Sequence, residues 1–102
     1  VPVREKIAAY LKKQTGLPYD FNHITMTVGA AGGINVTLKA LLDPGDEVLA
    51  LSPFFVEYRV YADNHGGILK PVPTTEDFLP DLEKLAAAIT PATKVLIINS
   101  PN

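Results

Sequence analysis

Apolar residues recur along the chain with two different spacings, and stretches with the two spacings alternate. After Pro2, the residues Val3, Ile7 and Leu11 recur every four positions, which is typical of one face of an amphipathic helix. Gly16 then predicts the end of that helix, because a glycine readily adopts the left-handed conformation in which helices terminate. We therefore expect a first helix between Pro2 and Gly16, with its apolar stripe packed on a core.

A strand pattern and a helix pattern follow each other directly in the next stretch. Apolar residues and threonines alternate over Ile24–Val28, which predicts a strand. A helix-forming run extends from Ile34 to Leu42, and its large apolar residues lie on one face. The small residues of Gly29–Gly33 occupy the junction between the two elements.

The same alternation continues to the end of the sequence. Further strands are predicted at residues 47–51, 68–72 and 95–98, with helices over residues 54–64 and from Asp81 to about Ile89. Pro71 cannot donate a backbone hydrogen bond, so its strand is expected at an edge of the sheet. The unbroken apolar run Val95–Ile98 is typical of a strand that is covered on both faces.

Strands that alternate with helices predict an α/β fold, with a mostly parallel sheet and helical crossovers. A buried last strand normally leads into another crossover, and here it leads only into Asn99–Asn102. We therefore expect the sequence to be an incomplete piece of a larger domain.

Composition narrows the classes of function. The 102 residues are 47% hydrophobic and 20% charged, as in a folded domain. The net charge of −2 and the absence of a basic cluster disfavour nucleic acid as a partner. No apolar run approaches the roughly 18 residues of a membrane span, and without cysteine there are no disulfides or thiolate metal sites. No spacing of side chains indicates a metal site or a nucleophile–base pair.

The small residues at Gly29–Gly33 suggest a phosphate site. They let a ligand approach the backbone closely, and a helix that begins there presents unpaired N–H groups and the positive end of its dipole. Phosphate groups bind at such helix ends. The plainer interpretation is that these residues form a tight turn or a helix-packing contact.

Two other strand ends carry candidate ligand-binding residues. In open parallel sheets, ligands bind beyond the carboxyl ends of the strands. Phe54 and Phe55 follow the strand at residues 47–51 and could stack on a flat ring, although such residues are more often part of a core. Asn99, Ser100 and Asn102 follow the last strand and could donate hydrogen bonds, although such residues more often form turns. Together these groups suit a planar, phosphorylated ligand.

A dinucleotide site is a further alternative that the sequence disfavours. The glycine-rich fingerprint needs a second glycine where Ala31 stands. It also needs an acidic residue after the second strand, and that strand ends at Leu51-Ser52 without one.

The order of these motifs resembles the class I/II aminotransferases, which are pyridoxal-phosphate enzymes of fold type I. The resemblance covers essentially the whole chain. It is carried by Val3–Leu11, Thr27–Ala31, Leu42–Val48, Ser52–Tyr58, Gly66–Gly67 and Asn99–Asn102. The last segment is similar to the opening of the family's N-N-P-T-G signature.

The resemblance implies a role for individual residues. Backbone N–H groups near Gly29, at Ala30 and Ala31, would hold the phosphate of pyridoxal phosphate, although many relatives have a hydroxyl side chain or a lysine at the position of Ala31. Phe55 matches the aromatic residue that stacks on the pyridine ring. Asn102 resembles the first asparagine of the family's pair, and the family's cofactor contact is made by the second.

The resemblance also implies what the chain does not contain. The family's Schiff-base lysine and substrate-binding arginine belong to motifs that this sequence does not show. The chain would thus be the N-terminal part, residues 1–102, of the pyridoxal-phosphate-binding large domain. Alone it would contain no catalytic residue and be inactive.

The parent enzyme implied by the resemblance would move an amino group from an amino acid, with aspartate favoured, to a 2-oxo acid. It would be cytoplasmic, without a nucleic-acid or membrane partner, and would form a homodimer or otherwise self-associate. A non-catalytic α/β module that binds a phosphorylated or nucleotide ligand is the alternative.

Overall fold

The computed structural model describes residues 1–100, and these residues form two compact units. The first unit is Val1–Gly33, and the second begins at Ile34 and contains the remaining described residues. Among residues 1–100, no helix has the length and apolar character needed to cross a bilayer.

The first helix, α1 (Pro2–Thr15), confirms the prediction from the sequence. Gly16 ends it in the left-handed conformation, with φ of 73°, and its N–H donates to the Lys12 carbonyl. The apolar stripe is less buried than expected. Ala8 is buried, Ile7 and Leu11 are half-buried, and Val3 is exposed.

A short 3-10 helix, Phe21–His23, follows α1 and is tied to it by one arginine. The Arg4 guanidinium lies 5.4 Å from the centre of the Phe21 ring and donates to the Ile24 carbonyl. The Asp20 carboxylate caps the 3-10 helix by accepting from the Asn22 N–H at 2.7 Å.

The prediction of a strand at Ile24–Val28 is wrong. This segment has no regular secondary structure and pairs with no strand among residues 1–100. Ile24 is buried, but Val28 is 94% exposed. An alternating pattern makes a strand only where another strand accepts and donates its backbone hydrogen bonds. The three strands of the second unit pair with one another instead.

Helix α2 (Gly29–Leu41) begins earlier than the sequence predicted, because the small residues themselves form its first turn. The helix crosses the boundary between the units, which falls between Gly33 and Ile34. A turn centred on Pro44–Gly45 follows, as predicted.

The second unit contains a three-stranded parallel sheet, as predicted. Its strands are β1 (Glu47–Ser52), β2 (Ile68–Pro73) and β3 (Thr93–Ile97), in the order β2-β1-β3. Pro71 therefore does lie on an edge strand, where it pairs in register with Ala50. The peptide bond between Ser52 and Pro53 is cis.

Helices connect the parallel strands. The first is α3 (Glu57–Asp63), which is shorter than the predicted helix over residues 54–64. The second is α4 (Leu82–Ala88), which begins at the predicted Asp81 cap. The backbone N–H and the ammonium of Lys84 both bind the Asp81 carboxylate and lower its pKa.

The core of the second unit lies where α2 and α3 cover one face of the sheet. Val48 and Ala50 of β1 are fully buried there with Leu38 of α2 and Ala62 of α3. The Tyr61 hydroxyl donates to Glu57, which raises the pKa of Tyr61 and satisfies the polar end of a largely buried ring.

Residues 1–100 do not cover the last strand on both faces, which corrects the prediction made for Val95–Ile98. Burial alternates along β3, with Val95 and Ile97 half-buried against the core. Leu96 points to the other face and is 38% exposed, and Ile98 is 63% exposed. An unbroken apolar run indicates how much apolar surface a strand can bury, but it does not indicate which elements cover that strand.

Candidate functional site

The amino end of α2 presents backbone groups to solvent. Gly29 has φ of 67°, which turns the extended chain into the helix and favours glycine at this position. The Thr27 hydroxyl supports the turn by donating to the Gly29 carbonyl at 3.0 Å. A side chain at Gly33 would place a Cβ 3.2 Å from that hydroxyl oxygen, so the small residue leaves room for it.

Gly29, Ala30 and Ala31 are all exposed, and they form the first turn of the helix. In an α-helix, any backbone acceptors of the first-turn N–H groups come from outside the helix, at residues that precede it. The Gly32 N–H, one position further on, donates to the Val28 carbonyl at 3.3 Å. The turn thus offers a solvent-accessible positive helix end to an anion. This geometry is compatible with the predicted phosphate site.

A pocket of about 400 Å³ lies in the second unit, beyond the carboxyl ends of the three strands. Residues that follow β1, β2 and β3 all contribute to it, as expected for a parallel sheet. Its wall is mainly apolar and aromatic, with a few polar groups. The lining residues are Leu51, Pro53, Phe54, Phe55, Tyr58, Thr74, Asp77, Phe78, Leu79, Pro80, Ile97, Ile98, Asn99 and Ser100.

The two adjacent phenylalanines have different environments. Phe54 packs against the core, as the plainer interpretation expected. Phe55 is 56% exposed, so its ring is available for contact with a ligand. Its position is defined by Tyr58, whose N–H donates to the Phe55 carbonyl at 2.9 Å. The two rings meet edge to face, with centres 5.9 Å apart and planes at 78°.

The polar groups predicted after the last strand are partly in place. Asn99 and Ser100 line the pocket, and Asn102 lies outside the described residues. The amino end of α2 belongs to the first unit and the pocket to the second.

Sequence reasoning missed one wall of the pocket, which is formed by Thr74 and residues 77–80. This segment follows β2, whose carboxyl end belongs to the same edge of the sheet as those of β1 and β3. The rule that ligands bind beyond strand ends applied equally to this strand and could have found the segment. The segment turns tightly, with φ of 60° at Phe78. The Thr75 hydroxyl stabilises the turn by accepting from the Leu79 N–H.

Known proteins with similar sequences are aminotransferases. The family model for aminotransferase class I and II matches residues 2–102. The probable aspartate/prephenate aminotransferase of Thermus aquaticus is 40% identical over 98% of the chain and 27% of its own length. The probable aspartate aminotransferase of Methanocaldococcus jannaschii is 38% identical with the same coverage. The chain therefore spans about a quarter of the length of these relatives.

Solved structures agree with the sequence comparison. A single mutant of the Thermus thermophilus aspartate aminotransferase superposes with a TM-score of 0.90 at 40% identity, over 97% of this chain and 26% of that one. The Thermotoga maritima aspartate aminotransferase gives 0.91 at 35% identity, over 97% and 27%. The α/β fold, with its parallel sheet and helical crossovers, is thus part of the fold type I architecture. On the family model and these relatives together, the chain belongs to the class I and II aminotransferases.

Proposed function

We propose that this chain supplies cofactor-binding residues to a pyridoxal-phosphate-dependent aminotransferase. The family assignment covers nearly the whole chain and names the reaction class. The exposed first turn of α2 is the observation that supports assigning cofactor binding to particular residues. A non-catalytic phosphate- or nucleotide-binding module is not favoured, because the relatives are aminotransferases.

The phosphate group would bind at Gly29, Ala30 and Ala31. These residues are exposed at the amino end of a helix, and no large side chain among them blocks an anion. The interaction would come from backbone N–H groups and the helix dipole. With alanine at position 31, no side-chain hydroxyl or ammonium from that position adds to the binding.

The pyridine ring would stack on Phe55. The exposed ring contacts Tyr58 edge to face and lines a pocket of about 400 Å³, which has room for a small planar molecule. Offset stacking between aromatic rings contributes on the order of 1 kcal/mol. Pyridoxal phosphate supplies an electron sink for breaking bonds at the substrate's α-carbon when it is bound. The chain's own residues bind and orient it.

The amino-group donor would be an amino acid and the acceptor a 2-oxo acid. Two of the relatives are described as aspartate/prephenate or aspartate aminotransferases, which makes aspartate the first donor to test. None of the chain's lysines lies in a motif that matches the family's Schiff-base lysine, so the 102-residue chain would be inactive alone. A homodimeric state and a cytoplasmic location remain predictions from the resemblance.

The proposed function is tested with the whole protein and with the 102-residue chain. We expect the whole protein to bind pyridoxal phosphate and to transfer the amino group of aspartate to 2-oxoglutarate, as measured by formation of oxaloacetate and glutamate. The isolated chain should give no turnover under the same conditions. Absence of cofactor binding by the whole protein, or turnover by the isolated chain, would contradict the corresponding part of the proposal.

Substitutions at Phe55 test the site itself in the whole protein. Phe55→Leu should weaken pyridoxal phosphate binding about fivefold, because it removes roughly 1 kcal/mol of stacking. Phe55→Tyr keeps the aromatic face and should bind nearly as the wild type does. Equal affinity of the wild type and Phe55→Leu for pyridoxal phosphate would contradict stacking of the pyridine ring on Phe55.

A further inference from the structure

Thr74 forms a link between the ends of two strands. It directly follows the last residue of β2, and its hydroxyl donates to the Ser52 carbonyl at 2.8 Å. Its backbone N–H donates to the same carbonyl at 3.3 Å. Because Ser52 pairs in register with Pro73, these bonds extend the contact between β1 and β2 one residue beyond the strands.

The carbonyl that accepts both bonds stands at the start of the segment that carries Phe55. Ser52 ends β1, and α3 begins only at Glu57, so Phe55 lies on a connection without regular structure. The Tyr58 N–H fixes the helical end of this connection by donating to the Phe55 carbonyl. Thr74 fixes the other end. Surface connections are more mobile than the elements they join, and these two contacts restrict this one at its ends.

The Thr74 side chain lines the same pocket as Phe55 and is half-buried. Its one hydroxyl hydrogen is used in the bond to Ser52, so the group does not donate to a ligand while that bond persists. A partly buried hydrogen bond of this kind stabilises the arrangement in which it forms, and so favours one arrangement of a short connection.

We propose that Thr74 is a positioning residue for the cofactor ring: its hydroxyl holds the Ser52 carbonyl and thereby sets where Phe55 presents its face. This proposal rests on the proposed function of Phe55. It assigns to the segment after β2 a role in binding that neither the motifs nor the family comparison gives it.

The test compares three variants of the whole protein. Thr74→Val keeps the shape of the side chain and removes the hydroxyl, and Thr74→Ser keeps the hydroxyl. Thr75→Val is the matched control, because Thr75 bonds to the Leu79 N–H within the same segment and not to Ser52. Each variant is measured for pyridoxal phosphate affinity, for visible circular dichroism of the bound cofactor and for melting temperature. The position of Phe55 is determined in crystal structures without cofactor.

We expect Thr74→Val to bind pyridoxal phosphate about threefold more weakly, with an altered dichroism band and a displaced Phe55 ring. Thr74→Ser should restore all three readouts, and Thr75→Val should leave them at wild-type values whatever its melting temperature. An unmoved ring and unchanged dichroism in Thr74→Val, or the same changes in Thr75→Val, would overturn the proposal.

The structural readout separates the two proposals. If the wild-type protein did not bind pyridoxal phosphate, the proposed function would fail. The displacement of Phe55 in the cofactor-free crystals would then still show whether Thr74 positions that ring, although its purpose would be lost.

Discussion

At the scale of single residues, the candidate site depends on conformation more than on side-chain chemistry. Gly29 has a positive φ, which favours glycine there, and in the proposed site Ala30 would contribute its backbone N–H. Phe54 and Phe55 are identical in chemistry, but only Phe55 leaves the core. The effect of a substitution on cofactor binding should therefore depend more on its position in the fold than on the type of residue replaced.

Placing a charge at Ala30 should separate helix stability from phosphate binding. A carboxylate in the first turn of a helix is favourable for the helix, but it repels a phosphate at the same end. We expect Ala30→Glu to weaken pyridoxal phosphate binding in the whole protein by about tenfold, corresponding to about 1.4 kcal/mol of repulsion at a few ångströms. The melting temperature should not fall.

The neutral variant Ala30→Gln is the matched control and should lose much less affinity, since it has nearly the same size. Cofactor affinity measured by fluorescence titration distinguishes the two variants. Equal losses in both would mean that bulk, and not charge, matters at the amino end of α2.

At the scale of elements, helices and strands are held by contacts at particular faces and ends. Leu38 lies on the buried face of α2 and is 1% exposed, whereas Leu41, on the same helix, is 46% exposed. At the amino end of β1, Glu47 accepts hydrogen bonds from the hydroxyls of Thr90 and Thr93. It also pairs with Lys70 at 3.1 Å, so that one carboxylate connects all three strands.

Truncating the buried leucine should cost far more stability than truncating the exposed one. Leu38→Ala should lower the free energy of unfolding by about 3 kcal/mol, because it removes a fully buried side chain and leaves a cavity. Leu41→Ala should cost less than about 1 kcal/mol. Urea denaturation followed by circular dichroism measures both, and similar losses would contradict the described burial of α2.

The contacts of Glu47 should make the stability of the fold depend on pH. The hydrogen bond from the Thr90 hydroxyl, together with Lys70 and Thr93, lowers the pKa of Glu47 below its ordinary value of 4.5. A carboxylate with a lowered pKa stabilises the fold above its unfolded pKa, and this contribution is lost as the pH falls through the folded pKa. We expect Glu47→Gln to be less stable than the wild type at pH 6 to 7, with the difference shrinking below about pH 4.5.

Glu83→Gln, at an exposed position of α4, is the control for Glu47→Gln and should show no such convergence. Melting temperatures measured from pH 7 down to pH 3 give the comparison. If the difference in melting temperature between the wild type and Glu47→Gln stayed constant over this range, the charge of the Glu47 carboxylate would not stabilise the fold.

At the scale of the whole molecule, the sheet has edges that the described residues leave open. Within residues 1–100, β3 pairs only with β1, and its Leu96 is 38% exposed. Unpaired strand edges favour pairing with another chain. The 102-residue chain is therefore expected to self-associate or to rearrange its sheet.

Light scattering of the isolated chain tests this expectation. Its mean mass should rise with concentration, and Leu96→Lys should reduce the rise because a charge on an edge strand opposes pairing. Leu82→Lys places the same charge on α4 at a position that is 73% exposed, and should have a smaller effect. A stable monomer of the wild-type chain at high concentration would contradict the expectation.

The sequence by itself determined the elements that depend on local patterns. It placed α1 and its Gly16 cap, the three strands of the sheet, the Asp81 helix start and Pro71 at an edge, since periodicity, capping and proline chemistry act over a few residues. Its motifs also indicated the family. Only the tertiary structure decided what depends on partners distant in the chain. Within residues 1–100, it left Ile24–Val28 without a partner strand and one face of β3 exposed. It buried Phe54 more than Phe55, and it brought Thr74 and residues 77–80 to the pocket. Burial and strand pairing are properties of the surroundings of a segment, and an identical pattern of residues has a different structure where those surroundings differ.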